Sequence, residues 1–142
     1  MQSQTLKTEV FVTFTMVLEK LKEENASIAL IGASNDNSKY GNIIYRDLRN
    51  KGYNVTPINP KEKTIENDKA YTSVEEMEKL PDIANFVVPP PIALKIAQHI
   101  VKLGIKYLWF QPGSESNELE EWLGNNKEIK YLVNSCIMVE TR

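Results

Sequence analysis

The apolar positions of this chain change period several times, and each change marks an element. From Phe11 to Asn25 they fall at Phe11, Phe14, Val17, Leu18 and Leu21, with Glu19, Lys20, Lys22, Glu23 and Glu24 turned the other way. That spacing predicts an amphipathic helix, lying on a sheet or against a partner subunit. Residues 1–10 are polar and read as loose. The stretch Ser27–Ile31 is then apolar almost without interruption, the pattern of a strand buried on both faces in a parallel sheet. Similar runs occupy Asn54–Ile58, Asp82–Val88, Lys106–Phe110 and Lys130–Val133.

Helical spacing fills the gaps between these runs. A helix is expected over Gly41–Lys51, with Ile43, Ile44 and Leu48 inward and Gly52 as its stop. Another begins at Ser73, with Glu75 and Glu76 in its first turn, and ends at Pro81. A third covers Ile92–Leu103, with Pro91 at its start and Gly104 after it. A fourth covers Ser114–Asn126. The charged stretch 61–70, KEKTIENDKA, reads as a solvated loop, with a short extended piece around Ala70 and Tyr71. Strand and helix alternate from residue 26 onward. This predicts an α/β fold: a Rossmann-like, doubly wound, mostly parallel sheet of about five strands, with helices on both faces. Residues 1–25 form an N-terminal extension carrying the amphipathic helix, and residues 26–142 form one domain.

In an open parallel sheet, ligands bind beyond the carboxyl ends of the strands. Here those ends are Gly32-Ala33-Ser34, Asn59-Pro60-Lys61, Val88-Pro89-Pro90, Gln111-Pro112-Gly113 and Asn134-Ser135-Cys136. They offer backbone groups, amides, hydroxyls and a cation, but no histidine and no carboxylate. Such a rim suits a phosphorylated cofactor better than acid–base chemistry, and no catalytic residue is expected. The turn after the first strand, SIALIGASNDNSKYG, leads from a buried strand to a helix N-terminus, where backbone N–H groups and the helix dipole receive phosphate. Its spacing is not G-x-G-x-x-G, because Ser34 stands at the second glycine position. Gly32 permits close backbone approach. Ser34 is read as a phosphate donor or a local turn bond, and Lys39 as a pyrophosphate partner or a solvated lysine.

The end of the second strand discriminates among cofactors. Dinucleotide binders place Asp or Glu there for the ribose hydroxyls. This chain has Asn59 and Lys61, with Lys63 close by. A lysine there points to a phosphorylated ribose, as in coenzyme A or NADP, or is a solubilising loop charge. Pro89, Pro90 and Pro91 form a rigid lip without N–H donors, suited to apolar contact with an adenine face, or they merely stop a strand and start a helix. Trp109 and Phe110 read as core. His99, the single histidine, reads as surface or core. Cys136 reads as a small buried hydrophobe or a reactive thiol.

Composition narrows the partners. The 142 residues carry 17 basic and 19 acidic side chains, a net charge of −2. That leaves no electrostatic footprint for nucleic acid or an anionic membrane surface. One cysteine excludes an internal disulfide and argues against a cysteine metal site; no metal is expected. No signal-peptide pattern and no membrane-spanning apolar run are present, so a cytoplasmic location is expected.

Five blocks together resemble a known family. They are I-G-A-S after the first strand, K-Y-G opening the first helix (Lys39, Tyr40, Gly41), G-Y-N-V-T-P-I-N-P-K across the second strand, V-P-P-P, and W-F-Q-P-G, with a final cysteine. This pattern is similar to the small stand-alone CoA-binding-domain proteins, relatives of the N-terminal domain of the succinyl-CoA synthetase α subunit. The resemblance covers about residues 26–140. It implies binding of coenzyme A or a related nucleotide by Gly32, Ala33, Ser34 and Asn35, by Lys61, by Val88 and Pro89, and by Gln111, Pro112 and Gly113. There are departures: the family's Asp-Arg-Cys ending is Asn134-Ser135-Cys136 here, and its Leu-Gly after the glutamine is Pro112-Gly113. The synthetase's phosphohistidine belongs to a further domain, so ligase activity is not implied. The expected function is CoA or acyl-CoA binding without catalysis; the alternative is an NAD or NADP-binding redox sensor or small oxidoreductase. A homodimer through the Phe11–Asn25 helix is a further expectation.

Overall fold

The computed structural model describes residues 2–142, with side chains from residue 12 onward. Five parallel strands form the main sheet: β1 (Ser27–Ile31), β2 (Asn54–Ile58), β5 (Ile83–Phe86), β6 (Tyr107–Phe110) and β7 (Lys130–Leu132). Their spatial order is β2-β1-β5-β6-β7. The chain therefore leaves β1 toward one edge, returns past it from β2, and continues toward the other edge. The carboxyl ends of β1 and β5 flank the point where the winding reverses, the crevice where such sheets bind ligands.

Alternation along β1 divides the core. Ile28 and Leu30 face α1 (Gln2–Leu21), α2 (Tyr40–Asn50) and α5 (Ile137–Glu140). Ala29 and Ile31 face α3 (Pro90–Val101) and α4 (Asn117–Gly124). Both faces of the central strands are dry, which is why their sequences show no polar alternation. Trp109 and Phe110 are fully buried on opposite faces, and Phe110 stacks on Phe86 with ring centroids 4.5 Å apart.

Several boundaries differ from the sequence reading. α1 starts at Gln2 rather than Phe11, so the backbone of residues 2–10 is helical; no glycine or proline interrupts it. It stops at Leu21, and Asn25 then takes a left-handed conformation (φ 61°). Phe14, Val17, Leu18 and Leu21 pack on the sheet, the intramolecular alternative for this face; the Phe11 side chain lies outside the described residues. The helix expected over residues 73–81 is a single 3-10 turn, Val74–Glu76. Pro81 disfavours α geometry at Leu80, which leaves too few residues to repay helix nucleation. The fourth helix begins three residues late, at Asn117, because Ser116 is its cap: its Oγ accepts from Leu119 N–H at 3.1 Å. α3 begins at Pro90, two residues earlier than expected, with prolines in its first turn.

The stretch expected to be a solvated loop contains a small hairpin, β3 (Thr64–Ile65) and β4 (Asp68–Lys69). Glu66 and Asn67 turn it with positive φ (49° and 67°). Contacts from elsewhere hold this turn. Arg49 Nη1 donates to the Glu66 carbonyl (3.1 Å) and to Asp68 Oδ2 (3.0 Å), and the Tyr45 hydroxyl donates to the same Asp68 oxygen (2.5 Å). The hydrogen bonds from Tyr45 and Arg49 hold the Asp68 carboxyl below its ordinary range. Burial, reinforced by Asp68, pushes the Tyr45 phenol well above its own.

Two measurements test this packing. Leu21→Ala lowers the unfolding free energy by about 2–4 kcal/mol in denaturant titrations, whereas Val12→Ala, at an exposed position, changes it by less than about 0.5 kcal/mol. If the two variants behave alike, α1 does not pack on the sheet. Asp68 has a lowered folded-state pKa, so its contribution is present above its unfolded value and disappears as pH falls through the folded one. The stability difference between the wild type and Asp68→Asn is therefore largest above pH about 4 and shrinks in acid; a difference that grows in acid contradicts the assignment.

Candidate functional site

The site begins where backbone meets backbone. Gly32 follows β1 with φ 102°, and its N–H donates to the Ile58 carbonyl at 3.1 Å. A Cβ on Gly32 would overlap the Val87 carbonyl and sit 2.8 Å from Val88 Cγ1. A Cβ on Gly41 would overlap the Gly32 carbonyl oxygen. The first turn of α2 thus rests directly on the glycine turn, and the glycine turn on the end of β5. No side chain fits between them.

Amide side chains fix the loop that this contact begins. Asn42, fully buried, donates from Nδ2 to the Ser34 carbonyl (2.8 Å), and its Oδ1 accepts from Arg46 Nε (2.7 Å). Asn59 donates from Nδ2 to the Ala33 carbonyl (2.9 Å), while its Oδ1 accepts from the N–H groups of Lys61 (2.7 Å) and Glu62 (3.2 Å). With those carbonyls tied down, the N–H groups of Ala33, Ser34, Tyr40 and Gly41 have no hydrogen-bond partner among the described residues. The Ser34 hydroxyl accepts from Asp36 N–H (3.0 Å). It takes the local turn bond foreseen as its alternative role.

The expected site residues separate into four groups. Gly32, Ala33, Ser34, Gly41, Asn59, Val88, Pro89 and Pro90 gather around the crevice through the contacts above and through Val88. Lys39, Tyr40 and Lys61 stand exposed at its rim, and neither lysine forms an ion pair among the described residues. Two residues turn their amides elsewhere. Asn35 braces the hairpin, donating to the Thr64 carbonyl (2.8 Å) and accepting from Glu66 N–H (3.0 Å). Gln111 is buried: Nε2 donates to Asn85 Oδ1 (2.7 Å), and Oε1 accepts from Ile137 N–H (3.1 Å). Pro112 and Gly113 remain exposed beyond it.

Ser114 was absent from the sequence-based site and proves to be its brace. Val88 N–H donates to Ser114 Oγ (3.1 Å), and that hydroxyl donates to the Val88 carbonyl (2.7 Å). The loop after β6 is thereby locked to the lip after β5. A serine next to Gly113 at a strand end was the available signal. Asn42 was also missed; an asparagine beside Gly41 on an otherwise apolar helix face was its signal. Asn85 lies fully buried in the middle of β5, its Nδ2 unpartnered among the described residues.

The expectation that the rim lacks carboxylates needs correction. Asp36 and Glu62 stand beside the glycine loop, the latter with Oε2 3.4 Å from Asn35 Nδ2, and Glu115 reaches the loop after β6. Strand-end triplets did not include them. His99 is on the surface, 2.5 Å from Glu75 Oε1. Among the described residues no cluster of metal-ligating side chains occurs, and no helix is long and apolar enough to cross a membrane.

A cavity of about 390 Å³ adjoins the crevice between the end of β2, the 3-10 turn and α3. Ile31, Ile58, Val74, Ile96 and Ile100 give it apolar walls, and Thr72 and Ser73 give it hydroxyls.

The family model of the CoA binding domain matches residues 26–142. The chain belongs to the CoA-binding domain family. The match leaves α1 outside the family domain. An ADP-forming acetate–CoA ligase from Methanocaldococcus jannaschii is 38% identical over 80 residues, which are 56% of this chain and 11% of that one. The chain thus spans only a small part of that relative. Among solved structures, a conserved hypothetical protein from Pyrococcus furiosus is 48% identical, with a TM-score of 0.76, covering 80% of this chain and 97% of that one. A dinucleotide-forming acetyl-coenzyme A synthetase from Ca. Korarchaeum cryptofilum, solved with phosphate and ADP, is 30% identical with a TM-score of 0.65, covering 75% of this chain and 25% of that one. This CoA-binding domain is therefore the Rossmann-like α/β sheet expected from the sequence.

The tight contact at the crevice has a direct test. Gly32→Ala introduces a Cβ at positive φ against the Val87 carbonyl, and lowers stability by about 2–4 kcal/mol in thermal or denaturant unfolding. A change under about 0.5 kcal/mol would mean that the close approach is not present in solution.

Proposed function

We propose that this chain binds coenzyme A in the crevice between the carboxyl ends of β1 and β5. One observation carries the reading: unpaired N–H groups of the glycine turn and of the α2 N-terminus lie together at the winding reversal, framed by the buried Asn42 and the half-buried Asn59. Backbone donors at a helix start are suited to a pyrophosphate, because they need no reorganisation and the helix dipole favours the charge.

The rest of the ligand follows from this anchor. Lys61, exposed and without an ion-pair partner among the described residues, meets the 3′-phosphate of the ribose, and Lys39 adds charge beside the pyrophosphate. The adenine enters the cavity walled by Ile31, Ile58 and Ile100, whose size lies within the range of small-molecule sites. The pantetheine arm crosses Pro89 and Pro90 toward Gly113. Gln111 and Asn35 support these walls without touching the ligand through their amides. The role is binding; ligase chemistry is not part of the proposal.

Thermal unfolding with a ligand panel tests the reading. At about a hundred times its Kd, CoA adds about 2.7 kcal/mol to the unfolding free energy. Lys61→Ala weakens CoA binding about tenfold and leaves dephospho-CoA within about twofold. No stabilisation by millimolar CoA, or stabilisation by NADP alone, overturns the proposal. Equal loss for CoA and dephospho-CoA removes the 3′-phosphate from Lys61.

A further inference from the structure

In the turn Gln111–Ser114 after β6, every backbone N–H has a partner, and one of those partners is a side chain. Gln111 N–H donates to the Phe86 carbonyl (3.0 Å), and Ser114 N–H donates to the Gln111 carbonyl (2.9 Å). Pro112 has no N–H. The remaining donor, Gly113 N–H, points at the Glu115 carboxylate, with both oxygens 3.2 Å away. The same carboxylate makes no ion pair among the described residues. Among the described residues its hydrogen-bond partner is that amide. The loop itself is not free to swing, because Ser114 Oγ is bonded to both the N–H and the carbonyl of Val88.

We propose that Glu115 is a built-in competitor for the Gly113 donor, a side chain that must leave before a ligand carbonyl can take its place. The proposal rests on the CoA reading and deepens it. The acceptor that Gly113 N–H would receive is a neutral one, an amide or thioester carbonyl of the pantetheine arm. A carboxylate held there by a single N–H, shared between its two oxygens, is displaceable, since its release exposes no buried charge. It also sets a negative charge near the path of a polyanionic ligand, which disfavours encounter as well as occupancy. The rigid brace at Ser114 means that displacement is a side-chain event: Glu115 rotates outward while Gly113 keeps its place. The free protein therefore holds its own acceptor at the ligand's donor, and affinity for CoA is lower than the crevice alone would give.

The test uses the full chain, labelled with ¹⁵N, as wild type, Glu115→Ala and Glu115→Gln. Hydrogen exchange at the Gly113 amide and the calorimetric Kd for CoA are measured on each. Without ligand, Gly113 exchanges at least about fivefold faster in Glu115→Ala than in the wild type, and Glu115→Gln lies between, because its amide oxygen still accepts. Glu115→Ala binds CoA about threefold to tenfold more tightly, and added CoA restores protection at Gly113. Unchanged Gly113 exchange in Glu115→Ala overturns the competitor. So does unchanged or weaker CoA affinity in that variant when the wild type binds CoA. If no variant binds CoA, the CoA reading fails and the competitor fails with it, whereas CoA binding by the wild type with no gain in Glu115→Ala overturns the competitor alone.

Discussion

Everything at the candidate site depends on one steric constraint: three backbone segments touch where the sheet reverses its winding. The Gly32 carbonyl lies against Gly41, and Gly32 itself against the Val87 carbonyl, with no room for a Cβ at either glycine. This brings the start of α2 over the end of β1. The positive end of the helix and the unpaired N–H groups of the loop then share one small volume. A larger residue at either position would separate α2 from the crevice and disperse those donors.

A second layer of asparagines turns that contact into a shaped cradle. Asn42 and Asn59 each hold one carbonyl of the glycine loop, so that the loop's donors are left for something else. Asn35 links the same loop to the hairpin, and Arg49 and Tyr45 link the hairpin to α2. The region is a closed hydrogen-bonded unit, and its lysines are the groups that stand out of it. A loop so constrained is organised before any ligand arrives, which lowers the ordering cost of binding.

The sheet was legible in the sequence because burial on both faces leaves uninterrupted apolar runs, as in Ile28–Ile31 and Ile83–Phe86. The hairpin was not, because its turn is Glu66-Asn67 rather than Asn-Gly, and its support comes from residues up to 31 positions away. The extent of α1 was hidden by the polar character of its first turns, which carry no periodic signal. Within the candidate site, the glycine turn and the exposed place of Lys61 at the end of β2 could be read from residue type and position alone. The orientation of amides could not. Asn35 and Gln111 have the composition of ligand contacts, but tertiary neighbours determine where their polar atoms point. Ser114 escaped notice because a hydroxyl that clamps two loops looks, in sequence, like any helix-capping serine.

The most direct measurement is a crystal structure of this chain grown with coenzyme A. The account predicts pyrophosphate density within hydrogen-bonding distance of the Ala33, Ser34 and Tyr40 amides and the 3′-phosphate beside Lys61 Nζ. Well-occupied CoA elsewhere, with the β1–β5 crevice empty, would contradict it.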